Sequence, residues 1–378
     1  MASAEAGNGV CDAVPDMVSS FVDTFVDYVV GGQFLSGHRN EPLPPVKTHR
    51  PPVERVVAIG DIHGDLGKAK EALKIGGVMN QSESWVGGST TVVQVGDLLD
   101  RGAQELRVLY LLEKLSREAR RNGGEFIVMN GNHEIMNIEG DFRYATPAAC
   151  FEFQNWAHWV HQGNLIKELC DGVKRRSVYE DIPSSIPLHL RARYAALKPG
   201  GPIASRFLAH HPMVLVVGGT VFVHGGVLPS HAKYGLEKIN DEVSSWILGK
   251  GGKFGPRYLH GRDAIVWARR YSETKGERCD CELLENALRA IPGSARMIVG
   301  HTIQQPFGIN GACTNRVIRV DVGMSAGCGN APPEVLEIRN DEEMKVLSST
   351  AERDINESKR DPDLKDQVVG LAGILVGK

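Results

Sequence analysis

The sequence predicts an α/β protein. Three observations carry this: short β-branched runs that stop abruptly, polar clusters that follow each stop, and helical text between several of them. Alternation of that kind places ligand groups at strand carboxyl ends.

The elements follow in order. Residues 17–30 carry Met17, Phe21, Phe25 and Tyr28 at helical spacing, with Val18, Val22, Val26 and Val29 beside them, and Gly31-Gly32 stops the run. A helix docked on the domain is expected. Residues 41–52 hold five prolines and read as an extended linker. Buried strands are expected at Arg55–Ile59, Thr91–Val95, Glu125–Met129, Thr220–Val223 and Arg296–Val299. Helices are expected at Asp65–Ile75 and Gln104–Arg120. Residues 141–209 break the pattern with helical text at Ala148–Leu169, and read as a helical insertion that walls the site. Further strands are expected at Val214–Val217, Asn315–Asp321, Glu334–Ile338 and Met344–Leu347, the late ones suggesting a second, more antiparallel sheet. The organisation is then an N-terminal extension (1–52), a catalytic domain (53–350) and a charged, flexible tail (351–378).

Composition bounds the class. The chain has 378 residues, 42% hydrophobic and 24% charged, as soluble globular proteins do, which excludes collagen-like, disordered and coiled-coil classes. A net charge of −3 argues against bulk electrostatic binding of nucleic acid or anionic membrane. Seven scattered cysteines do not make a disulfide scaffold. No secretory, transit or myristoylation signal opens the chain, and no apolar run reaches the roughly 18 residues of a membrane span. A cytoplasmic protein is the default expectation.

Five clusters follow five strands. Gly60-Asp61-Ile62-His63-Gly64 puts a carboxylate and an imidazole at positions i and i+2, which face the same way in an extended strand end. Gly96-Asp97-Leu98-Leu99-Asp100-Arg101-Gly102 offers two carboxylates and a guanidinium. Gly131-Asn132-His133-Glu134 offers an amide oxygen, an imidazole and a carboxylate. His224-Gly225-Gly226 and Gly300-His301-Thr302 add two imidazoles. Any one cluster is commonplace; five in succession imply a site. Mixed nitrogen and oxygen donors without thiolate suit divalent or trivalent first-row metals rather than a cysteine zinc site. Two such ions about 3.5–4 Å apart can hold a bridging water, lower its pKa and neutralise phosphoryl oxygens, so in-line attack on phosphorus is the expected chemistry.

These clusters, in this order, match the signature of the phosphoprotein phosphatases within the metallophosphoesterases. Met136–Tyr144, Val223–Pro229 and Val266-Trp267-Ala268-Arg269 narrow the resemblance to the Shewanella-like protein phosphatases, and Ser20–Asp27 resembles their second plant type. The resemblance spans about residues 53–340. It implies a calcineurin-like fold, two mixed β-sheets sandwiched by helices. It implies that Asp61 and His63 ligate a first metal, that Asp97 bridges, and that Asn132, His224 and His301 ligate a second. His133 becomes the general acid, oriented by Asp100. Arg101 binds phosphate, with Arg269 as candidate second arginine although Arg270 adjoins it. Glu134 supports the metal ligands from behind. Asp321-Val322-Gly323-Met324 departs from the loop of animal-type enzymes. His210 and His211 precede the strand pair and are not expected to ligate, and His158 and His161 read as packing or a pocket wall.

The resemblance implies a phosphatase for phosphoserine and phosphothreonine in proteins, with manganese and with iron or zinc as alternatives. Phosphotyrosine and dinucleoside polyphosphates are the competing substrates. A scaffold without catalysis is disfavoured, because every ligand position holds a competent residue. Phosphoproteins are the implied partners. The mitochondrial intermembrane space is the alternative compartment, with a thiol oxidoreductase as a further partner. Cys279-Asp280-Cys281 reads as two free thiols or as part of a disulfide to Cys11, Cys150, Cys170, Cys313 or Cys328.

Overall fold

A computed structural model of the chain describes residues 14–33, 46–169, 173, 178, 182–273 and 279–356. Twelve strands are present among them: β1 (His49–Arg50), β2 (Arg55–Ile59), β3 (Thr91–Gln94), β4 (Glu125–Val128), β5 (Val214–Val217), β6 (Thr220–Val223), β7 (Arg296–Val299), β8 (Asn310–Ala312), β9 (Val317–Arg319), β10 (Glu334–Arg339), β11 (Glu343–Ser348) and β12 (Glu352–Asp354). They form two mixed six-stranded sheets, ordered β1-β5-β6-β7-β9-β8 and β12-β11-β10-β2-β3-β4.

Burial on both faces explains the central strands. β3, β5 and β6 are buried at every position, as their β-branched, apolar text demands. β2, β3 and β4 run parallel with Val57 opposite Val92 and Val93 opposite Ile127. β6, β7 and β9 run parallel in the other sheet. One contiguous apolar core contains Val57 and Val93 of the first group and Phe222 and Ile298 of the second. The expectation of a separate late sheet is corrected: β10 and β11 extend the sheet of β2, pairing antiparallel beside it. Val335 on one face and Leu336 and Ile338 on the other are all buried there. The proline-rich stretch also contributes, because β1 pairs in parallel with β5, His49 opposite Val216. The tail expected from residue 351 starts with β12 on β11. Residues 34–45 and 357–378 lie outside the described residues.

Helices fill the gaps between strands. α1 (Val14–Gly31) packs on α5, and α2 (Leu66–Ile75), α3 (Glu105–Arg121) and α4 (Asn132–Glu139) follow β2, β3 and β4. Asp65 caps α2 by accepting from Lys68 N at 3.0 Å. α5 (Pro147–Glu168) opens on Thr146, which accepts from Ala149 N at 3.1 Å, with Pro147 in its first turn. Two shorter helices, α6 (Arg191–Leu197) and α7 (Pro202–Arg206), complete the helical segment before β5. α1 docks by its valines rather than its aromatic row: Val22, Val26 and Val30 are buried, whereas Met17 and Phe21 are 65% and 74% exposed. Gly163 on α5 is the reason, since a Cβ there would crowd Val22 and Val26 at 3.0 Å.

Cys281 and Cys313 form a disulfide that ties the helix Cys281–Arg289 to the turn after β8. Among the described residues Cys150, Cys279 and Cys328 are free, and Cys11 and Cys170 lie outside. No helix among the described residues is long and apolar enough to cross a membrane.

Candidate active site

All five clusters meet where the strands of both sheets end. Asp61 and His63 follow β2, Asp97 to Arg101 follow β3, and Asn132 and His133 open α4 just past β4. His224 follows β6 and His301 follows β7. The two sheets approach so closely here that a Cβ on Gly60 would run into the Val320 carbonyl, which requires glycine. The chain turns sharply at these ends. His63, Asp97, Asp100, Arg101 and His301 all hold left-handed backbone, with φ of 47°, 57°, 69°, 62° and 67°.

Asp97 is the hub. Its Oδ2 lies 3.3 Å from His224 Nε2, 3.6 Å from His63 Nε2 and 3.9 Å from His133 Nε2. Its Oδ1 accepts from the His133 backbone N–H at 3.0 Å. Burial alone would raise the Asp97 carboxyl, but the His224, His133 and His63 imidazoles hold it well below the usual range. Asp61 goes the other way: burial, then the charges of Asp321 and Asp97, push it well above the usual range.

The donor atoms suit cations. His63 Nδ1 faces Leu99 O at 2.9 Å, and His224 Nδ1 faces Val95 O at 3.0 Å. A carbonyl can only accept, so each Nδ1 carries the proton and each Nε2 offers a lone pair. His224 Nε2 then meets Asn132 Oδ1 at 2.9 Å, two lone pairs converging on one point unless the ring is doubly protonated. Burial disfavours a charged His224 ring, but the Asp97 carboxylate beside it raises its pKa. His301 Nε2 is buried without a hydrogen-bond partner. Two ligand groups share Asp97, one with His63 and His133 and one with His224 and His301. His133 differs within its group, because its Nδ1 is held at 2.7 Å by Asp100 Oδ2. These residues fit a pair of metal ions.

Glu134 is buried beneath this layer. Its carboxylate accepts from the backbone N–H groups of Asp97, Leu98, Leu99 and Gly131 at 2.7 to 3.0 Å. That fixes the Asp97 loop against the start of α4.

A cleft of about 240 Å³ opens over the hub. Arg101, Tyr144, Trp267, Arg269, Ile303 and Cys328 line it with the clustered residues. The Arg101 guanidinium sits 4.8 Å from the Tyr144 ring centre. Arg269 Nη1 donates to His301 O at 3.0 Å and to Thr302 Oγ1 at 2.7 Å, whereas Arg270 turns away to pair with Asp263. His210 and His211 line another cavity, beside β4, and His158 and His161 lie exposed on α5.

Sequence reading missed two groups. Asp321, two residues past the end of β9, is buried in the cleft wall, and burial pushes its pKa up to about 6. A strand ending in Asp was the available signal. Arg193, with Glu105 and Asn137, surrounds Asp100. Nothing local in residues 191–197 marks that role.

Residues 54–304 match the calcineurin-like phosphoesterase family. The chain is 54% identical over 358 residues to Shewanella-like protein phosphatase 2 of Arabidopsis thaliana, covering 92% of this chain and 91% of the relative. The chain belongs to the Shewanella-like protein phosphatases, within the calcineurin-like phosphoesterases. It is 27% identical over 308 residues to another member, Shewanella-like protein phosphatase 1 of Plasmodium berghei, covering 79% of this chain and 75% of that one. In fold it resembles the cold-active protein-tyrosine phosphatase of a psychrophilic Shewanella species, at a TM-score of 0.62 and 21% identity, covering 85% and 86% of the two chains. As a Shewanella-like phosphatase the chain is an enzyme, a hydrolase of a family that uses metal ions.

Proposed function

We propose that this phosphatase hydrolyses phosphoserine and phosphothreonine in proteins with two metal ions. Asp61, His63 and Asp97 would hold one, and Asp97, Asn132, His224 and His301 the other. Bound there, the ions would acidify water and neutralise phosphoryl oxygens. The chain's own groups do the rest. Arg101 and Arg269 reach the cleft from opposite loops and bind the phosphoryl oxygens. His133, held through Nδ1 by Asp100, presents Nε2 to the leaving oxygen and donates its proton. Burial disfavours charge on His133, but Asp97 and the Asp100 hydrogen bond outweigh it and raise its pKa.

The observation that carries this reading is the 2.7 Å His133–Asp100 pair beside the Asp97 hub. A serine or threonine alkoxide is a poor leaving group and needs that donor; a phenolate needs it less. Protein substrates are supported by the name of the Arabidopsis relative, a protein phosphatase. The test compares phosphoseryl, phosphothreonyl and phosphotyrosyl peptides with diadenosine tetraphosphate, using enzyme loaded with manganese. Higher kcat/KM on the seryl and threonyl peptides is expected. A preference for the tyrosyl peptide or the dinucleotide would replace this substrate class.

A further inference from the structure

Arg193 is fully buried, and every polar end of its side chain meets the support of His133. Nη2 donates to Asp100 Oδ1 at 2.9 Å, Nη1 lies 2.8 Å from Glu105 Oε2, and Nε donates to Asn137 Oδ1 at 2.8 Å. Asn137 in turn donates to Asp100 Oδ2 at 2.9 Å, the oxygen that faces His133 Nδ1 at 2.7 Å. Glu105 accepts from the Asp100 backbone N–H at 3.0 Å. The Phe153 and Phe142 ring centres lie 4.8 and 5.8 Å from the guanidinium carbon and pack against the buried cation.

We propose that Arg193 is a positioning residue for the reaction: it locks Asp100 in the rotamer that presents Oδ2 to His133. This rests on the reading of His133 as proton donor. The geometry makes the lock specific. The two oxygens of the buried Asp100 carboxylate are equivalent, so what needs fixing is the plane of the group: Arg193 holds one oxygen and thereby directs the other at the imidazole. Asn137 alone does not fix that plane, since its amide bonds the same oxygen as His133. A planar guanidinium hydrogen-bonds Asp100 and Asn137 while lying in ion-pair contact with Glu105, and a lysine ammonium cannot span all three. The single positive charge also stands between two buried carboxylates that would otherwise repel each other. The helical segment before β5 therefore reaches the chemistry through α6 as well as lining the cleft with Tyr144.

The test uses the manganese-loaded full chain with Arg193→Gln, Arg193→Lys, His133→Asn and the Arg193→Gln/His133→Asn pair. Each is assayed on a phosphoseryl peptide and on nitrophenyl phosphate, whose leaving group needs little protonation. Arg193→Gln should lower kcat on the peptide about 10–100-fold, leave KM unchanged and spare nitrophenyl phosphate. Arg193→Lys should recover part of the loss. In the His133→Asn background the Gln change should add nothing on the peptide. Equal losses on both substrates, with His133→Asn still selective, would show a structural prop and overturn the inference. A non-selective His133→Asn would instead remove the proton-donor reading beneath it. If Arg193→Gln fails to fold or to bind manganese, Arg193→Lys decides by the same comparison.

Discussion

Asp97 Oδ2 stands 3.3 Å from His224 Nε2, which joins the carboxyl end of β3 in one sheet to that of β6 in the other. The candidate site is thus also the seam between the sheets. Asp97→Asn keeps the shape and removes the charge on which three imidazoles converge and which bound metals would share. Manganese affinity should fall by more than the about 10–100-fold that a lost supporting contact costs, and turnover should fall with it. Titration calorimetry on the folded variant reads this directly. Manganese binding at wild-type affinity and stoichiometry would remove Asp97 from the shared position.

His133→Asn should slow hydrolysis of a phosphoseryl peptide by about 10²–10⁴-fold, the usual range for a general acid. Nitrophenyl phosphate should suffer far less. Steady-state kinetics on both substrates decides it, and an equal loss contradicts proton donation.

Stripping with a chelator should abolish activity, and manganese should restore it. Folded-state binding should also raise the melting temperature, by an amount corresponding to about 2.7 kcal/mol at a hundredfold excess over Kd. Recovery with calcium alone would refute the mixed nitrogen and oxygen site, since calcium takes oxygen ligands.

Arg206 bonds Asp27 of α1 and Glu113 of α3, each at 2.7 Å, and stacks 4.7 Å over Tyr110. Tyr110 itself donates to Asp27 at 3.0 Å. Arg206→Met should take one charged partner from each of the buried Asp27 and Glu113 carboxylates, which keep Tyr110 and Arg117, and cost about 2 kcal/mol. Urea unfolding measures the difference, and a change within error would mean that α1 docks by its valines alone.

His211 keeps a partly exposed edge, but its Nδ1 is buried without a partner. Burial, reinforced by His210, pushes its pKa down to about 3. The unfolded ring titrates near about 6.5, so between those values the unfolded chain binds a proton that the folded chain refuses. Stability should therefore fall as pH drops through that window, by up to about 1.4 kcal/mol per pH unit. His211→Gln should flatten the slope by that amount in melts from pH 7 to pH 4; an unchanged slope would show that the ring is charged in the folded state.

Much of the fold was legible because its signals are local. β2, β5, β6 and β7 begin and end where the β-branched runs do, and Gly60 and Gly131 mark the exits. Sheet membership was not legible in the same way. Val335 and Ile338 carry strand text, but which neighbour buries them is set by a partner more than 270 residues away in β2. α1 showed the same limit: its aromatic and valine rows are both apolar, and the close approaches at Gly163 on α5 and at Gly31 against Tyr110 become visible only once the helices are placed. At the site, residues that touch the cleft announce themselves as Asp, His and Asn after strands. Arg193 does not, because a buried cation inside helical text looks like a surface one until its partners are placed.

The left-handed backbone at His63, Asp97, Asp100, Arg101 and His301 has an evolutionary consequence. Such conformations cost of order 1–3 kcal/mol each when the residue is not glycine, against a total folding margin of about 5–15 kcal/mol. The surrounding fold must therefore carry an excess that these turns consume. Selection for heat resistance alone would find its easiest gains at these five positions, where glycine relaxes the chain. Glycine at all five would give a hardier chain without the cluster's side chains, so stability and the site compete for the same five residues.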